Sequence, residues 1–423
     1  MFRSCKKKKG AYVSTRLPAQ VFAWKFVPSL YNKSMRTLGL FSSLRPPIEV
    51  VIDFEPRYIK SVILEISSKG GNPRVVKKGV FHLPHNLKTE RVLEKLREVL
   101  FSTVKMLGRV PAKITLGLDV HFGEQEILQW NFPLPKDIKS LSARELGNYF
   151  YTLFEERRAK ETASIAYPLD VSANGYSIKE SIASGIKTLP PRSFSPQQAS
   201  FQSLVISFPK TVGNHLLDTR KSLGGLPIDF VPLVAAYQYA FVKGLNQTDA
   251  FLISVTRDST LLMLIQEKEL KRFTCFPVGT KHFIHGIAKE FSLSSEEARD
   301  LKKQYAKGII DEATKARLQK FLAQEVVVWQ KKFIDALEVF YSYGPIPPQV
   351  FILGEGTHLP ELVDFIKNTN WIKDFSYVSN PSARVVDPSA IFGGNTLGGT
   401  LEEPNDMNLA ALMFYSLHHK PLF

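Results

Sequence analysis

The sequence repeats one order of strands about 200 residues apart, and this repeat constrains the fold more than any other feature. In each copy, two apolar runs separated by a short polar turn predict a β-hairpin, and a third strand follows a second turn. We predict strands at Ile48–Phe54, Ile59–Ile66, Arg74–Leu83, Ala250–Val255, Leu261–Gln266 and Glu269–Phe276. The chain is therefore expected to contain two halves with the same architecture.

Helical patterns and further strands follow the three strands of each half. Apolar residues recur at helical spacing, and Ser294 followed by Glu297 forms a capping-box pattern that opens one helix, which ends near Gly308. The alternation predicts an α/β protein with a duplicated order of three strands, a helix, a strand and a helix. The predicted elements are helix Leu87–Leu107, strand Ala112–Val120, helices around His282–Phe291 and at Glu312–Phe340, strand Gln349–Leu353, and helix Pro360–Ile366.

A segment between the halves interrupts the repeat and predicts an inserted small α+β domain. It contains predicted strands at Glu126–Phe132 and Leu204–Phe208, a helix at Ala143–Arg157 and a Ser-, Pro- and Gln-rich loop at Ser181–Ser200. The predicted organisation is an N-terminal extension (1–47), a first half (48–124), the insert (125–227), a return helix (228–250), and a second half (251–423) with a helical insertion at about 292–345.

The positive charge of the chain is concentrated at its N-terminus. The formal net charge is +15, and the first 45 residues contain ten Lys or Arg and no Asp or Glu. Such a segment could bind anionic lipid or nucleic acid, or it could be a solvated, disordered tail. Met35 offers an alternative translation start, in which case part of this extension would not exist.

Several enzyme and membrane classes lack support in the sequence. We find no Gly-x-Ser-x-Gly elbow, no Walker pattern and no apolar run long enough to span a membrane. The two cysteines, Cys5 and Cys275, are too far apart in the sequence for metal-ligand spacing, and His282 with His285 would form only half of a metal site. No catalytic residue or metal ligand is predicted, and a reducing intracellular setting is expected.

Four segments, taken in order, resemble the actin-like ATPases, specifically their FtsA/PilM branch. Asp53–Lys60 resembles the first phosphate loop, Pro277–Thr280 the "PVGG" element, Ser295–Lys302 the adenosine-side helix, and Ile352–Pro360 the final glycine turn. The insert is also similar to the insert of this branch, at Phe132–Pro135 and Ser207–Lys210. The resemblance implies the duplicated actin-like, ribonuclease-H-like fold, with ATP and Mg²⁺ held between the halves. The positions it implies for nucleotide binding are Asp53, Lys60, Gly279, Lys302, Gly354 and Gly356.

The loops depart from the family pattern where phosphate would bind. Glu55 stands at a glycine position and Pro56 removes a backbone donor, while Ser254-Val255-Thr256 replaces the family's Asp-x-Gly. Arg299 replaces the ribose-binding Glu. Because carboxylates repel phosphate oxygens, we expect little or no ATP hydrolysis and doubt that ATP and Mg²⁺ bind. Binding could be rescued if four cations supply the missing charge, namely Arg57, Lys60, Arg257 and Lys302.

The resemblance implies an interaction protein. One reading is an FtsA-like scaffold that links a cytoplasmic assembly to the membrane in cell division, with a tubulin-like polymer as partner. The alternative is a PilM-like component of type IV pilus assembly, which grips the tail of a bitopic inner-membrane protein. Both place the chain at the cytoplasmic face of the membrane and allow self-association or contact of the basic N-terminus with anionic lipid; nucleic acid is not the expected partner. A remote alternative is a sugar-kinase-like phosphotransferase.

Overall fold

The first half of the chain builds a five-stranded sheet around the β1–β2 hairpin. The sheet order is β3-β2-β1-β4-β9, with β1 antiparallel to β2 and parallel to β4. Five of the seven residues of β1 are apolar and six are buried, which is typical of a strand in a sheet covered on both faces. Helix α1 buries the stripe Val92, Leu96 and Leu100. The elements are β1 (Ile48–Phe54), β2 (Tyr58–Glu65), β3 (Arg74–His82), α1 (Thr89–Leu107) and β4 (Lys113–Leu118).

The computed structural model describes most of residues 46–419, within a compact unit of residues 43–423. The described ranges are 46–67, 73–84, 87, 89–133, 162–173, 176–177, 198–224, 226–368, 371, 379, 381–393 and 400–419. The predicted basic extension and the predicted helix Ala143–Arg157 lie outside them. No helix in these ranges has the length and apolar character needed to span a membrane.

A small antiparallel sheet of order β5-β8-β6-β7 stands in the predicted insert. Strand β6 of this sheet and helix α2, which follows β8, fall in segments without clear periodicity, and they were not predicted. The prediction of a loop at Ser181–Ser200 is wrong for its last three residues, because Gln198–Ser200 begin strand β8 and pair with β5. The elements are β5 (Glu124–Pro133), β6 (Thr162–Ala173), β7 (Tyr176–Ser177), β8 (Gln198–Pro209) and α2 (Lys210–Ser222).

The chain returns to the first sheet before it enters the second half. The predicted return helix is preceded by strand β9 (Ile228–Pro232), which pairs in parallel with β4 and leads into α3 (Leu233–Tyr239). Apolar residues in a short run do not distinguish a strand from a helix, so periodicity alone did not separate the two. Pro232 marks the boundary between them, where its fixed φ suits the start of a helix.

The second half repeats the plan of the first, with sheet order β12-β11-β10-β13-β14. The β10–β11 hairpin is antiparallel and β13 runs parallel to β10, as in the first half. The repeat predicted from the sequence is thereby confirmed. The elements are β10 (Ala250–Val255), β11 (Thr260–Gln266), β12 (Glu269–Phe276), α4 (Thr280–Phe291), α5 (Ser295–Ala306), α6 (Glu312–Leu337), β13 (Gln349–Leu353), α7 (Pro360–Asn368), β14 (Ser382–Val385) and α8 (Met407–His418).

Helices α3 and α8 pack between the two sheets and connect the halves. Their side chains share one apolar cluster with Val51 of the first sheet and Leu252 of the second. Nearly every residue of α8 is buried. Gly117 on β4 is needed because a Cβ there would lie 2.3 Å from a methyl carbon of Leu412. The turns of both hairpins therefore face each other across a cleft, and helices α3 and α8 pack at its base.

Candidate functional site

The first hairpin places two of the predicted site residues side by side. Asp53 and Lys60 are paired in the register of β1 and β2, and both side chains are buried. The Lys60 ammonium lies 3.9 Å from a carboxylate oxygen of Asp53 and 3.8 Å from one of Glu55. Glu55, at the position where the family has glycine, thus turns into the cleft and joins a buried charge cluster.

The cluster contains two carboxyl groups and one ammonium group, so one ammonium must balance both carboxyls. Burial raises the pKa of Asp53 to about 6, against the lowering effect of Lys60. Burial and the adjacent Asp53 carboxylate raise the pKa of Glu55 well above its ordinary value. Neither Asp53 oxygen has a hydrogen-bond partner among the described residues. Both carboxyl groups therefore hold a proton more readily than ordinary carboxyl groups do, and Lys60 is the counter-charge that they share.

The turn that precedes α8 lies against the cluster. Lys60 donates a hydrogen bond to the backbone carbonyl of Asn405. Asn408 donates to Glu55 over 3.0 Å and accepts from the Tyr237 hydroxyl over 2.5 Å. We call residues 404–408 the strap. It occupies the side of the cleft that would otherwise be open to the first hairpin turn.

The second hairpin turn is joined to the first by Arg257. Its guanidinium donates to the Tyr58 hydroxyl over 2.7 Å and lies 5.5 Å from the Tyr58 ring centroid. The backbone N–H of Thr256 donates to the Ser259 carbonyl within the turn, and the N–H of Glu55 donates to Tyr58 in the first turn. Both of these N–H groups therefore form hydrogen bonds within their own turns.

The start of α4 docks on the second turn through backbone contacts. The N–H groups of Thr280 and Lys281 donate to the carbonyls of Thr256 and Arg257 at 2.9 and 2.8 Å. A Cβ at Gly279 would lie 2.5 Å from both carbonyl oxygens, so the close approach requires glycine. In this structure Gly279 positions a helix against a turn, and the helix N-terminus is satisfied by the protein itself.

The last glycine turn is likewise explained by packing against β10. Gly354 has φ +79° with its Cβ position 2.6 Å from the Val255 carbonyl oxygen, and a Cβ at Gly356 would lie 2.4 Å from the Val255 Cβ. Between them, Glu355 accepts a hydrogen bond from Thr280 over 2.6 Å. These contacts tie the turn to its own half.

Lys302 supplies the positive charge beside Glu355. Burial alone would raise the pKa of Glu355, but Lys302 and the Thr280 hydroxyl outweigh it and leave this pKa below its usual value. The Lys302 side chain is itself buried, and burial lowers its pKa. Lys302 therefore has a carboxylate of the chain as its electrostatic partner.

The cleft between the turns contains little space. Its cavity has a volume of about 10 Å³, which is room for about one water molecule. The residues that line it are Glu55, Tyr58, Lys60, Thr256, Arg257, Gly354, Glu355, Pro404, Asn405, Met407 and Asn408. In the part of the chain that is described, no group of three or more His, Cys, Asp or Glu side chains is arranged to hold a metal ion.

These residues do not fit a magnesium nucleotide. Triphosphate binding in the family depends on glycine and hydroxyl-bearing turns, but here two acidic side chains, Glu55 and Glu355, point into the cleft. The cations that could offset them are engaged: Lys60 with Asp53 and Glu55, and Arg257 with Tyr58. Arg57 instead donates to the Pro84 carbonyl.

Sequence reasoning identified both ends of the cleft but not the groups that fill it. Of the six predicted positions, Asp53 and Lys60 lie on strands β1 and β2 of the first hairpin, Gly279 precedes α4 and Lys302 lies on α5. Gly354 and Gly356 lie in the turn between β13 and α7. The role of all six in nucleotide binding remains a prediction. The missed residues are Tyr58, Tyr237, Asn405, Asn408 and Asp119, whose carboxylate contributes to the raised pKa of Asp53. The only available signal was the Pro404-Asn405-Asp406 turn before the closing helix, because the others lie in ordinary apolar or polar runs.

Comparison with known proteins supports the fold. No protein-family model matches the sequence, and no curated protein is significantly similar to it. Among solved structures, the "PilM-PilN type IV pilus biogenesis complex" matches with a TM-score of 0.57 and 15% identity, covering 86% of this chain and 97% of that one. The chain therefore has the duplicated α/β architecture of the actin-like ATPases.

Two lower-scoring structures cover similar shares of the chain. The ethanolamine utilization protein EutJ from Carboxydothermus hydrogenoformans has a TM-score of 0.44 at 11% identity, covering 88% of this chain and 91% of that one. MreB5 of Spiroplasma citri bound to ADP has a TM-score of 0.45 at 8% identity, covering 88% and 96%.

Proposed function

We propose that this protein is an actin-fold scaffold that works without nucleotide and that acts in pilus assembly in the manner of PilM. The observation that carries the proposal is the charge cluster of Asp53, Glu55 and Lys60, closed by the strap. In the family, a bound nucleotide joins the two halves; here the contacts Lys60–Asn405, Asn408–Glu55 and Arg257–Tyr58 do so. A protein held together in this way has no need of an ATP-driven switch, so its function depends on the surfaces it presents.

The pilus role is supported by the match to a PilM–PilN complex, in which a protein of this fold is bound to a partner. Applied to this chain, the partner would be the cytoplasmic tail of a bitopic inner-membrane protein, and the scaffold would lie at the cytoplasmic face of the membrane. An FtsA-like role in cell division, which the sequence also predicted, would require a tubulin-like polymer as partner instead. Two sequence features favour the division role, namely the long helix α6 with its charged exterior and the segment Asn380–Asn408 that leads to the closing helix.

Partner binding with and without nucleotide tests the proposal. The full-length protein would be immobilised and exposed to synthetic cytoplasmic tails of bitopic pilus proteins and, separately, to a polymerised tubulin-like protein. We expect a tail to bind with the same affinity whether or not Mg-ATP is present. Binding only in the presence of Mg-ATP would overturn the nucleotide-independent mechanism, and binding only to the polymer would overturn the pilus role.

A further inference from the structure

The outer edge of the first sheet is formed by β3, which pairs with β2 on one side only among the described residues. An edge strand offers unpaired N–H and C=O groups to any extended chain that lies beside it. Six of the nine residues of β3 are exposed, in contrast to the buried strands β1 and β2. The first sheet therefore ends in an open strand of substantial length.

Three large apolar side chains are exposed on this strand. Val76 is 51% exposed, Val80 45% and Phe81 41%. Helix α1 contributes Met106, which is 50% exposed, and the Lys77 ammonium lies 3.0 Å from its sulfur, so this end of α1 lies beside β3. Exposed apolar residues gathered along an open edge are typical of a surface that binds another chain.

The lysines of β3 do not protect the edge in the usual way. Natural edge strands commonly use lysine to prevent pairing with other chains. Here Lys78 is drawn to Asp406 at 2.5 Å and Lys77 is directed to Met106, so both are held against the protein. The apolar side chains on either side of this lysine pair, Val76, Val80 and Phe81, remain exposed.

The positive charge around β3 and the end of α1 indicates which kind of partner can bind there. Basic residues on β3 and around the end of α1 include Arg74, Lys77, Lys105 and Arg109, and the sequence has no Asp or Glu between Ile66 and Thr89. Two copies of β3 placed side by side would oppose like charges, which destabilises strand pairing. A partner strand that carries acidic residues would gain attraction instead.

We propose that β3 is a docking edge for an extended, acidic segment of a partner protein, which adds a sixth strand to the first sheet. Backbone hydrogen bonds would supply affinity, and alternate side chains would meet Phe81 and Met106 on the face covered by α1. The inference deepens the proposed scaffold role and rests on it to the extent that a scaffold requires a partner surface.

The probe is a fluorescein-labelled nine-residue peptide of alternating valine and glutamate, titrated into the full-length protein with anisotropy as the readout. We expect saturable binding that weakens at about 0.5 M salt, where surface charges are screened. The same peptide with proline at alternate positions cannot form the strand ladder and should not bind. Absence of saturable binding, or equal binding of the proline peptide, would overturn the proposal.

Variants locate the site. Val80→Glu and Lys77→Glu should each weaken peptide binding by at least about tenfold, because like charges on paired strands repel. Val328→Glu, at a residue of α6 that is 48% exposed, is the matched control and should leave binding unchanged. Thermal melts would verify that each variant folds, since all three positions are exposed or at the surface.

Other occupants give distinct results. Concentration-dependent dimerisation that Val80→Glu abolishes would assign the edge to a second copy, and binding of anionic vesicles through Phe81 and Met106 in place of the peptide would assign it to lipid; either would overturn the proposal. Mg-ATP titration of the same preparation tests the cleft separately from peptide binding. Binding of both nucleotide and peptide would contradict the scaffold mechanism but not the docking edge. Binding of neither would contradict the docking edge but not the scaffold mechanism.

Discussion

The Lys60 ammonium lies within 4 Å of two buried carboxyl groups and donates to a backbone carbonyl of the strap. We predict that Lys60→Met will be strongly destabilising, since it leaves Asp53 and Glu55 without a counter-charge. Breaking a buried ion pair by removing one partner costs about 3–5 kcal/mol. Urea unfolding of parent and variant measures this difference.

The matched control is Lys95→Met on α1. Lys95 pairs with Glu98 at 2.6 Å, but both side chains are at least half exposed. An exposed pair of this kind contributes little, so the free energy of unfolding should change by less than about 1 kcal/mol. A Lys60→Met protein as stable as this control would show that the cluster does not hold the cleft together.

The raised pKa of Asp53 makes the stability depend on pH. Burial raises the pKa of this carboxyl in the folded protein to about 6, well above its ordinary value of 3.8. Between these values the folded state binds more protons, so this group's contribution to stability falls as pH rises through about 6. Asp53→Asn removes that contribution. We therefore expect the variant to be more stable relative to the parent at pH 7 than at pH 5. In other words, the free energy of unfolding of Asp53→Asn minus that of the parent should be larger at pH 7.

Denaturant unfolding at both pH values checks the sign. Glu355, with its lowered pKa, titrates in the opposite sense, but its effect is confined to more acidic solution and is common to both proteins. A relative stability of Asp53→Asn that is the same at both pH values would mean that Asp53 is already ionised in the folded state at pH 5.

At the residue scale, two of the six predicted positions, Lys60 and Gly354, line the cleft, but the strap residues beside them were not predicted. Asp53 and Lys60 were identifiable because the segment Asp53–Lys60 resembles the first phosphate loop of the actin-like ATPases. Asn405 and Asn408 lie about 350 residues away in sequence, in a polar turn like many others. Their role depends on α8 packing between the two sheets, which is a tertiary event that local patterns do not encode.

At the scale of elements, the final glycine turn distinguishes packing from ligand binding. A Cβ at position 356 would lie 2.4 Å from the Val255 Cβ, closer than real Cβ atoms approach. We predict that Gly356→Ala will destabilise the protein by about 1–3 kcal/mol through overpacking, equally with and without Mg-ATP. Thermal melts under both conditions measure this.

Gly308→Ala is the comparison for that turn. Gly308 has a positive φ but no atom within 4 Å of its Cβ position, so only backbone strain of about 1 kcal/mol is expected. If Gly356→Ala were harmless, or if its effect appeared only with Mg-ATP, the packing explanation of the turn would fail.

The strap is an element whose contacts cross the cleft. Asn408→Ala removes the donor to Glu55 and the acceptor for Tyr237 at one position. Leaving buried polar groups without partners costs about 1–3 kcal/mol each, so we predict a clear fall in the urea midpoint. Asn405→Ala is the control, because the strap uses its backbone carbonyl and not its side chain. Equal effects of the two variants would contradict the assigned contacts.

Element boundaries were predictable where periodicity and capping agreed. Strands β1, β10, β12 and β13 have the predicted ends, and Ser294 caps α5 with Glu297 in a reciprocal capping box. The long helix was predicted to reach Phe340 but its α-helical part ends at Leu337 and continues as a 3-10 turn. Strand β6 was missed because its residues alternate too weakly for a period-two pattern to be detected.

At the scale of the molecule, the repeat in the sequence was sufficient to predict two sheets of the same order. What it could not predict is how closely the halves meet. That depends on Arg257 reaching Tyr58 and on Lys60 reaching the strap, contacts between segments about 200 and 350 residues apart. The departures at Glu55 and Pro56 indicated a modified cleft, but only the structure places the side chains that fill it.

Titration calorimetry of Mg-ATP into the full-length protein, with a Glu55→Gly, Pro56→Ser variant alongside, shows directly whether the cleft binds nucleotide. We predict no heat of binding for the parent, because Glu55, Lys60 and the strap occupy the cleft. The variant reports whether restoring the glycine and hydroxyl of the first turn permits binding. Saturable, micromolar binding of Mg-ATP to the parent would contradict a scaffold that works without nucleotide. It would indicate instead that nucleotide controls the assembly of the protein.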